Sequence, residues 1–191
     1  TGTKEKANTS RGTYRLTDNF FRFWYAFGFA NLSQLEDGDI EGVYEYLVEP
    51  ALHEFASLTF EDVCKEFVRE LQKQNALPFR YTKMGRWTGK TTVRDKETES
   101  GFRVAETEID LLAMGKGAKE YMVGECNFRK NPFAYSEYLD TTVKLTPLKK
   151  NAKFYYALFS ESGFDEKIQS EARIRENLYL YDLNTIINLK H

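Results

Sequence analysis

Cysteine and histidine are scarce in this chain of 191 residues: two cysteines, Cys64 and Cys126, and two histidines, His53 and His191. Two cysteines in apolar settings exclude a disulfide framework and fit a reduced, cytoplasmic protein. Four such residues scattered along the chain have no zinc-ligand spacing. Net charge is also nearly absent, at −2, so no global field draws the molecule towards nucleic acid or an anionic membrane. Any such contact has to come from a local basic patch. Long apolar runs are missing too. The longest cluster, Phe20–Ala30, is broken by Arg22 and is too short to span a bilayer. Nor is there a phosphate loop: Gly85–Lys90 reads GRWTGK, without the G-x-x-x-x-G-K-[ST] spacing, so this chain holds no ATP site. It starts at Thr1 without a methionine, which suggests a piece of a longer protein.

What is present is an ordinary globular composition, 41% hydrophobic and 29% charged, with aromatics at 15%, enough for a sizeable core. Residues 1–15 are polar. After them TDNFFRFWYAFGF predicts a helix capped by Thr17 or Asp18, with Phe20, Phe21, Trp24 and Phe27 on a core-facing stripe. Ile40, Val43, Tyr44, Leu47 and Val48 restart the helical period, and Pro50 is expected to kink it or open a new helix. The clearest helix follows. Thr59 is its expected cap, and Phe60, Val63, Cys64, Phe67, Val68 and Leu71 recur at helical spacing. Glu61 lies on the margin of that stripe, as a local partner for Lys65 or as an acid reaching over a sheet edge.

The segment Glu106–Lys130 reads as a β-hairpin. Gly117-Ala118 fits the centre of a two-residue type II′ turn. Counting back from it sets Asp110 opposite Glu125 and Glu108 opposite Asn127, with Arg129 further along the second strand's same face. Opposed residues have Cβ atoms ~4.5–5.5 Å apart. Carboxylates so close repel unless a cation sits between them, and an oxygen-only set of two acids plus water suits Mg²⁺ or Mn²⁺. The plainer alternative is a solvated acidic sheet face. Upstream, Arg80, Lys83, Arg86, Lys90 and Arg94 interleave with Tyr81 and Trp87, a composition suited to phosphate contact plus base stacking. Downstream, Tyr135–Leu139 predicts a helical turn, and Lys144, Lys149, Lys150 and Lys153 crowd around Pro147. KFYYALF is a strand, 164–174 a helix, LYLYDL a last strand and 183–189 a short helix.

A helix acid, a strand acid and an E-x-K-like stretch on the paired strand resemble the plan of the PD-(D/E)xK nuclease superfamily. Here those positions are Glu61, Asp110, Glu125 and Asn127. More closely, YRLTDNFFRFWYAF, GRWTGK, EIDLLA, VGECNFRK and LFSESGF, in this order, resemble the C-terminal domain of unknown function of prokaryotic AAA+-type ATPases. The resemblance covers Tyr14 to Leu189. It implies an α/β, restriction-endonuclease-like mixed β-sheet flanked by helices, with an N-terminal helical subdomain. Residues 1–15 would be the remnant of an upstream winged-helix wing, 16–58 an aromatic-rich helical segment and 59–191 the nuclease-like core. It further implies a P-loop ATPase module upstream, a Mg²⁺ or Mn²⁺ site on Asp110, Glu125 and Glu61, and DNA as partner through Arg80, Lys83, Arg86, Trp87 and Lys90. One departure stands out: Glu125-Cys126-Asn127 replaces the usual E-C-K. A neutral amide orients water but does not offset charge developing on phosphate, which leaves Asn127 and Arg129 as the lysine's stand-ins. Two functions follow: weakened Mg²⁺-dependent DNA phosphodiester hydrolysis, or a catalytically inactive DNA-binding or regulatory module of the ATPase.

Overall fold

The computed structural model describes residues 16, 18–144 and 151–189. The expected N-terminal wing and two of the lysines around Pro147, Lys149 and Lys150, lie outside the described residues. The described chain falls into two compact units that meet in sequence between His53 and Glu54.

The first unit is helical throughout. Asp18 caps α1 (Asn19–Phe23) by accepting the Phe21 N–H at 3.1 Å. A π turn, Trp24–Gly28, leads through a 3-10 turn to α2 (Leu32–Glu36). Asp39 caps α3 (Ile40–Val43), and a second π turn, Tyr44–Val48, precedes α4 (Glu49–Lys73). That turn sits directly before Pro50, which has no N–H to donate four residues back; a wider turn there accommodates the missing bond. The π turns also break the 3.6-residue period on which the aromatic stripe was laid out. Phe27 is buried, but Phe20 is 70% exposed and Phe21 and Trp24 are exposed as well. The stripe is thus not the core face that its spacing predicts.

In the second unit α4 runs unbroken through Thr59, whose hydroxyl donates to the Phe55 carbonyl at 3.4 Å. This is mid-helix back-bonding and not the expected cap. Five strands follow as one sheet in the order β1 (Tyr81–Arg94), β2 (Phe102–Gly115), β3 (Glu120–Asn127), β4 (Lys153–Ser160) and β5 (Leu178–Asp182). The first three are antiparallel and the last two join in parallel, a mixed sheet of the restriction-endonuclease-like kind. GRWTGK, loop-like by its glycines, lies inside β1. The apolar stripe of α4 packs one face of the sheet: Phe60, Cys64, Phe67, Val68 and Leu71 meet Leu111, Ala113, Met122, Tyr155, Ala157 and Phe159. Each Phe, Val, Leu or Met among them, fully buried, contributes roughly 1.5–3 kcal/mol. Helix α5 (Tyr135–Val143) and helix α6 (Glu166–Ile174) cover the other face through Tyr138 and Ile168 against Leu158 and Leu178. Helix α7 (Leu183–Ile187) adds Ile186 to the first face. Among the described residues no helix is long and apolar enough to cross a membrane.

The hairpin turn between β2 and β3 keeps the expected register, Met114 opposite Tyr121 through Leu111 opposite Gly124. Its geometry differs: both Gly117 (φ 72°) and Ala118 (φ 53°) are left-handed, the type I′ pattern, where type II′ needs only the glycine. An alanine there costs roughly 1–2 kcal/mol, and glycine gives part of that back as unfolded-chain entropy. Ala118→Gly is therefore expected to raise stability by about 0.5–1 kcal/mol, read as a higher urea midpoint at unchanged slope. A lower midpoint would mean that the turn is not left-handed at 118.

Candidate active site

The site lies where β2 leaves β3. Their ladder ends at Leu111 opposite Gly124. At the next position Asp110 takes over from the backbone, its Oδ2 accepting the Cys126 N–H at 2.9 Å. On the other side of β2 the register with β1 shifts: Asp110 and Leu111 together face Arg86, between Gly85 opposite Leu112 and Trp87 opposite Ile109. This is a β-bulge, which bends a strand and re-aims its side chains. Beyond it β1 and β2 continue as a two-stranded ribbon, from Trp87 opposite Ile109 out to Arg94 opposite Phe102. The sheet is thus forked, with Asp110 and Glu125 at the crotch. Because the ladder has ended, Glu108 lies opposite Thr88 on β1, not opposite Asn127 as strict alternation from the turn would have it.

Burial sets the electrostatics. It pushes the Asp110 carboxyl above its ordinary range; the Cys126 N–H pulls the other way, and the charge of Glu61 adds to the rise. Burial likewise raises Glu125, to about 7, against the pull of Lys144 and with a further push from Asp110. Lys144, at the C-terminal end of α5, donates from Nζ to Glu125 Oε1 at 2.9 Å and to the Glu108 carbonyl at 3.3 Å. Glu61 does reach beyond its own helix. Its Oε1 meets Arg86 Nη2 at 2.5 Å while Oε2 keeps the local contact with Lys65 at 3.5 Å. Arg86 also holds Glu108 Oε2 at 3.3 Å. Two acids at the crotch are thus flanked by two cations, one from β1 and one from α5.

Asn127 is 5% exposed. Its Oδ1 accepts from Arg129 Nε at 2.6 Å, and Arg129 is held in turn by Glu137, whose other oxygen caps the Ala134 N–H at 2.9 Å. A guanidinium has only donors, so the amide oxygen must face it. That turns Nδ2 the other way, where it is buried with no hydrogen-bond partner among the described residues. Alongside lies a cleft of about 440 Å³ lined by Glu125, Asn127, Arg129, Phe133, Thr141 and Lys144, among others.

The expected nucleic-acid residues are not gathered into one patch. Arg80 precedes β1, and Lys83 and Lys90 are exposed on it, seven residues apart, or about 23 Å at a strand rise of ~3.3 Å. Arg86 is engaged by acids. Trp87 is half-buried against Ile109 and Val123 and closes over Gly89, where a Cβ would lie 2.6 Å from its ring. Among the described residues no three His, Cys, Asp or Glu side chains converge tightly enough to cage a metal. The residue that sequence reasoning missed is Lys144, noted only as one of a crowd of lysines. The signal was there: Glu137, Thr141 and Lys144 fall at i, i+4 and i+7, one face of a helix that runs the full length of α5.

A family model described as archaea bacterial proteins of unknown function matches residues 24–140. The match takes in Glu61, Asp110, Glu125, Asn127 and Arg129 and ends just before Lys144. The chain is also similar to the uncharacterized protein MJECL04 of Methanocaldococcus jannaschii, 32% identical over 127 residues. That alignment covers 65% of this chain and 24% of the relative, so the chain spans about a quarter of the relative's length. No solved structure matches.

Proposed function

The chain belongs to that family, DUF234, and from its own forked site we propose that it is a PD-(D/E)xK-type nuclease domain hydrolysing DNA phosphodiesters with Mg²⁺ or Mn²⁺. The observation that carries this is Lys144 Nζ at 2.9 Å from Glu125, beside Asp110. Metal-dependent phosphodiester hydrolysis uses acids that hold a divalent cation, and a positive charge beside the phosphate helps stabilise the transition state. The usual lysine is absent at 127, and Lys144 supplies an equivalent ammonium from the end of α5.

Asp110 and Glu125 would hold the ion. The pair fits Mg²⁺ or Mn²⁺, which take one or two carboxylates and leave the remaining positions to water and substrate phosphate. Bound there, the ion supplies Lewis acidity towards the phosphate. The chain's own residues do the rest. The Lys144 ammonium offsets negative charge on the phosphate oxygens as water adds to phosphorus and the P–O ester bond breaks. The Asn127 amide, whose N–H is buried and uncommitted among the described residues while the residue borders the cleft, would serve as a neutral donor for a phosphate oxygen or the attacking water once the site opens to it. Arg129 keeps that amide oriented. Glu61, named with the ligands by the superfamily plan, anchors Arg86 over Asp110. Arg80, Lys83 and Lys90 would meet the DNA backbone along β1. The relative is about four times as long as the stretch it shares with this chain; the winged-helix and ATPase modules that the sequence motifs imply would be partners of this domain in a longer chain.

A second reading, a non-catalytic DNA-binding or regulatory module of the ATPase, is favoured by the partner that each acid already has and by the lack of a three-acid cage among the described residues. Plasmid nicking by the full-length protein in Mn²⁺ separates the two. The nuclease reading expects nicking that Asp110→Ala abolishes. Nicking left intact by that change, or none at all from a parent that binds Mn²⁺, overturns it.

A further inference from the structure

We propose that Thr91, on the β1–β2 ribbon, is a positioning residue that sets the reach of Lys144 into the site. This rests on the nuclease reading for its consequence, but not for its geometry. Thr91 is 2% exposed, and its Oγ1 donates to the Lys144 carbonyl at 2.6 Å. The last carbonyls of a helix have no intrahelical donors, so a buried hydroxyl there satisfies one of them and pins the end of α5. Lys144 is that end: its N–H closes on the Asp140 carbonyl at 3.2 Å. From this pinned backbone the side chain reaches two acceptors, Glu125 Oε1 on β3 and the Glu108 carbonyl on β2. All three strands of the fork therefore hold one lysine, β1 by its main chain and the other two by its ammonium. A weaker tie runs in parallel, Arg94 Nε to Asp140 Oδ1 at 3.5 Å, with both side chains largely exposed.

The dependence on a hydroxyl is specific. A lysine stem has four rotatable bonds, so where its backbone sits decides whether Nζ meets Glu125 or solvent. A displacement of about 1 Å at a catalytic cation can cost on the order of 10²-fold in rate. Thr91→Val keeps the shape of the side chain and removes the donor; Thr91→Ser keeps the donor.

The test uses the full-length protein and two readouts. In the first, brief acetylation followed by mass spectrometry gives the labelling rate of Lys144 relative to Lys83 and Lys90, both exposed on β1. Thr91→Val is expected to raise the Lys144 rate several-fold and Thr91→Ser to leave it at the parent level. A rate unmoved by valine, or raised equally by serine, overturns the proposal. If valine prevents folding, Thr91→Ala takes its place with the same two outcomes. In the second readout, Mn²⁺-dependent nicking by Thr91→Val is expected to lose about 10²-fold in kcat at little changed KM. Faster labelling in a protein whose parent does not cut DNA would leave the positioning role standing and remove the nuclease reading. Labelling unmoved in a parent that does cut would do the reverse.

Discussion

Lys144→Met is expected to fold, to retain Mn²⁺ binding and to nick plasmid DNA about 10²–10³-fold more slowly than the parent, the usual effect of removing one preorganised electrostatic stabiliser. Methionine keeps most of the stem's apolar length, so what is lost is the ammonium and its two contacts, with Glu125 Oε1 and the Glu108 carbonyl. The same view changes what should be done at Asn127. From sequence alone, Asn127→Lys looks like the repair of a degenerate motif. In the structure that position is 95% buried and its oxygen is bonded to Arg129, with Lys144 on the same cleft. A second ammonium would stand among two cations, and like charges so close destabilise. Asn127→Lys alone should therefore be less stable and no faster. In the Lys144→Met background, where the cleft has lost a cation, it should recover at least tenfold. Undiminished nicking by Lys144→Met would show that the cation at Glu125 has no part in the chemistry.

The register of the central hairpin was legible because a turn and a strict two-residue alternation determine it together, and the one residue that pins it, Gly117, is visible as a glycine. The α4 stripe was legible for the same reason, a helical period from Phe60 to Leu71, except that Val63, which the spacing places on it, is 40% exposed and outside the core. What escaped was everything that departs from a period. The bulge at Asp110 leaves no mark in composition, yet it opens the fork and takes Glu108 away from Asn127. The π turn at Trp24–Gly28, which interrupts the helical period between Trp24 and Phe27, and the exposure of Phe20 and Phe21 ahead of it are likewise silent in the sequence. The cation of the site lies 19 residues from the acid it serves, on a different element. Local spacing on β3 could only report that position 127 lacked a charge. It could not report that α5 brings one.

The affinity for Mn²⁺ is expected to fall about tenfold between pH 8 and pH 6, because Glu125, held up to about 7 chiefly by burial, must lose a proton before it can bind a cation. The same shift acts on stability with a definite sign. The ordinary value of this carboxyl is 4.5. Below that both folded and unfolded chains carry the proton and the group contributes nothing to the pH dependence. Between about 4.5 and about 7 the unfolded chain releases its proton while the folded site retains it, so stability falls as pH rises; above about 7 the loss is complete and constant. Asp110, also raised by burial, adds in the same direction. Glu125→Gln should therefore melt a few degrees higher than the parent at pH 8, at roughly 2–4 °C per kcal/mol for a chain of this size, and hardly higher at about pH 4, below both values, while binding no Mn²⁺ at either. Lys144 makes the dependence sharper to test. It lowers the Glu125 value, so in Lys144→Met the pH at which Mn²⁺ affinity is half-developed should move up, not down. An affinity that is flat from pH 6 to pH 8, or a midpoint that Lys144→Met shifts to lower pH, would remove Glu125 from the metal site and leave Asp110 without a partner there.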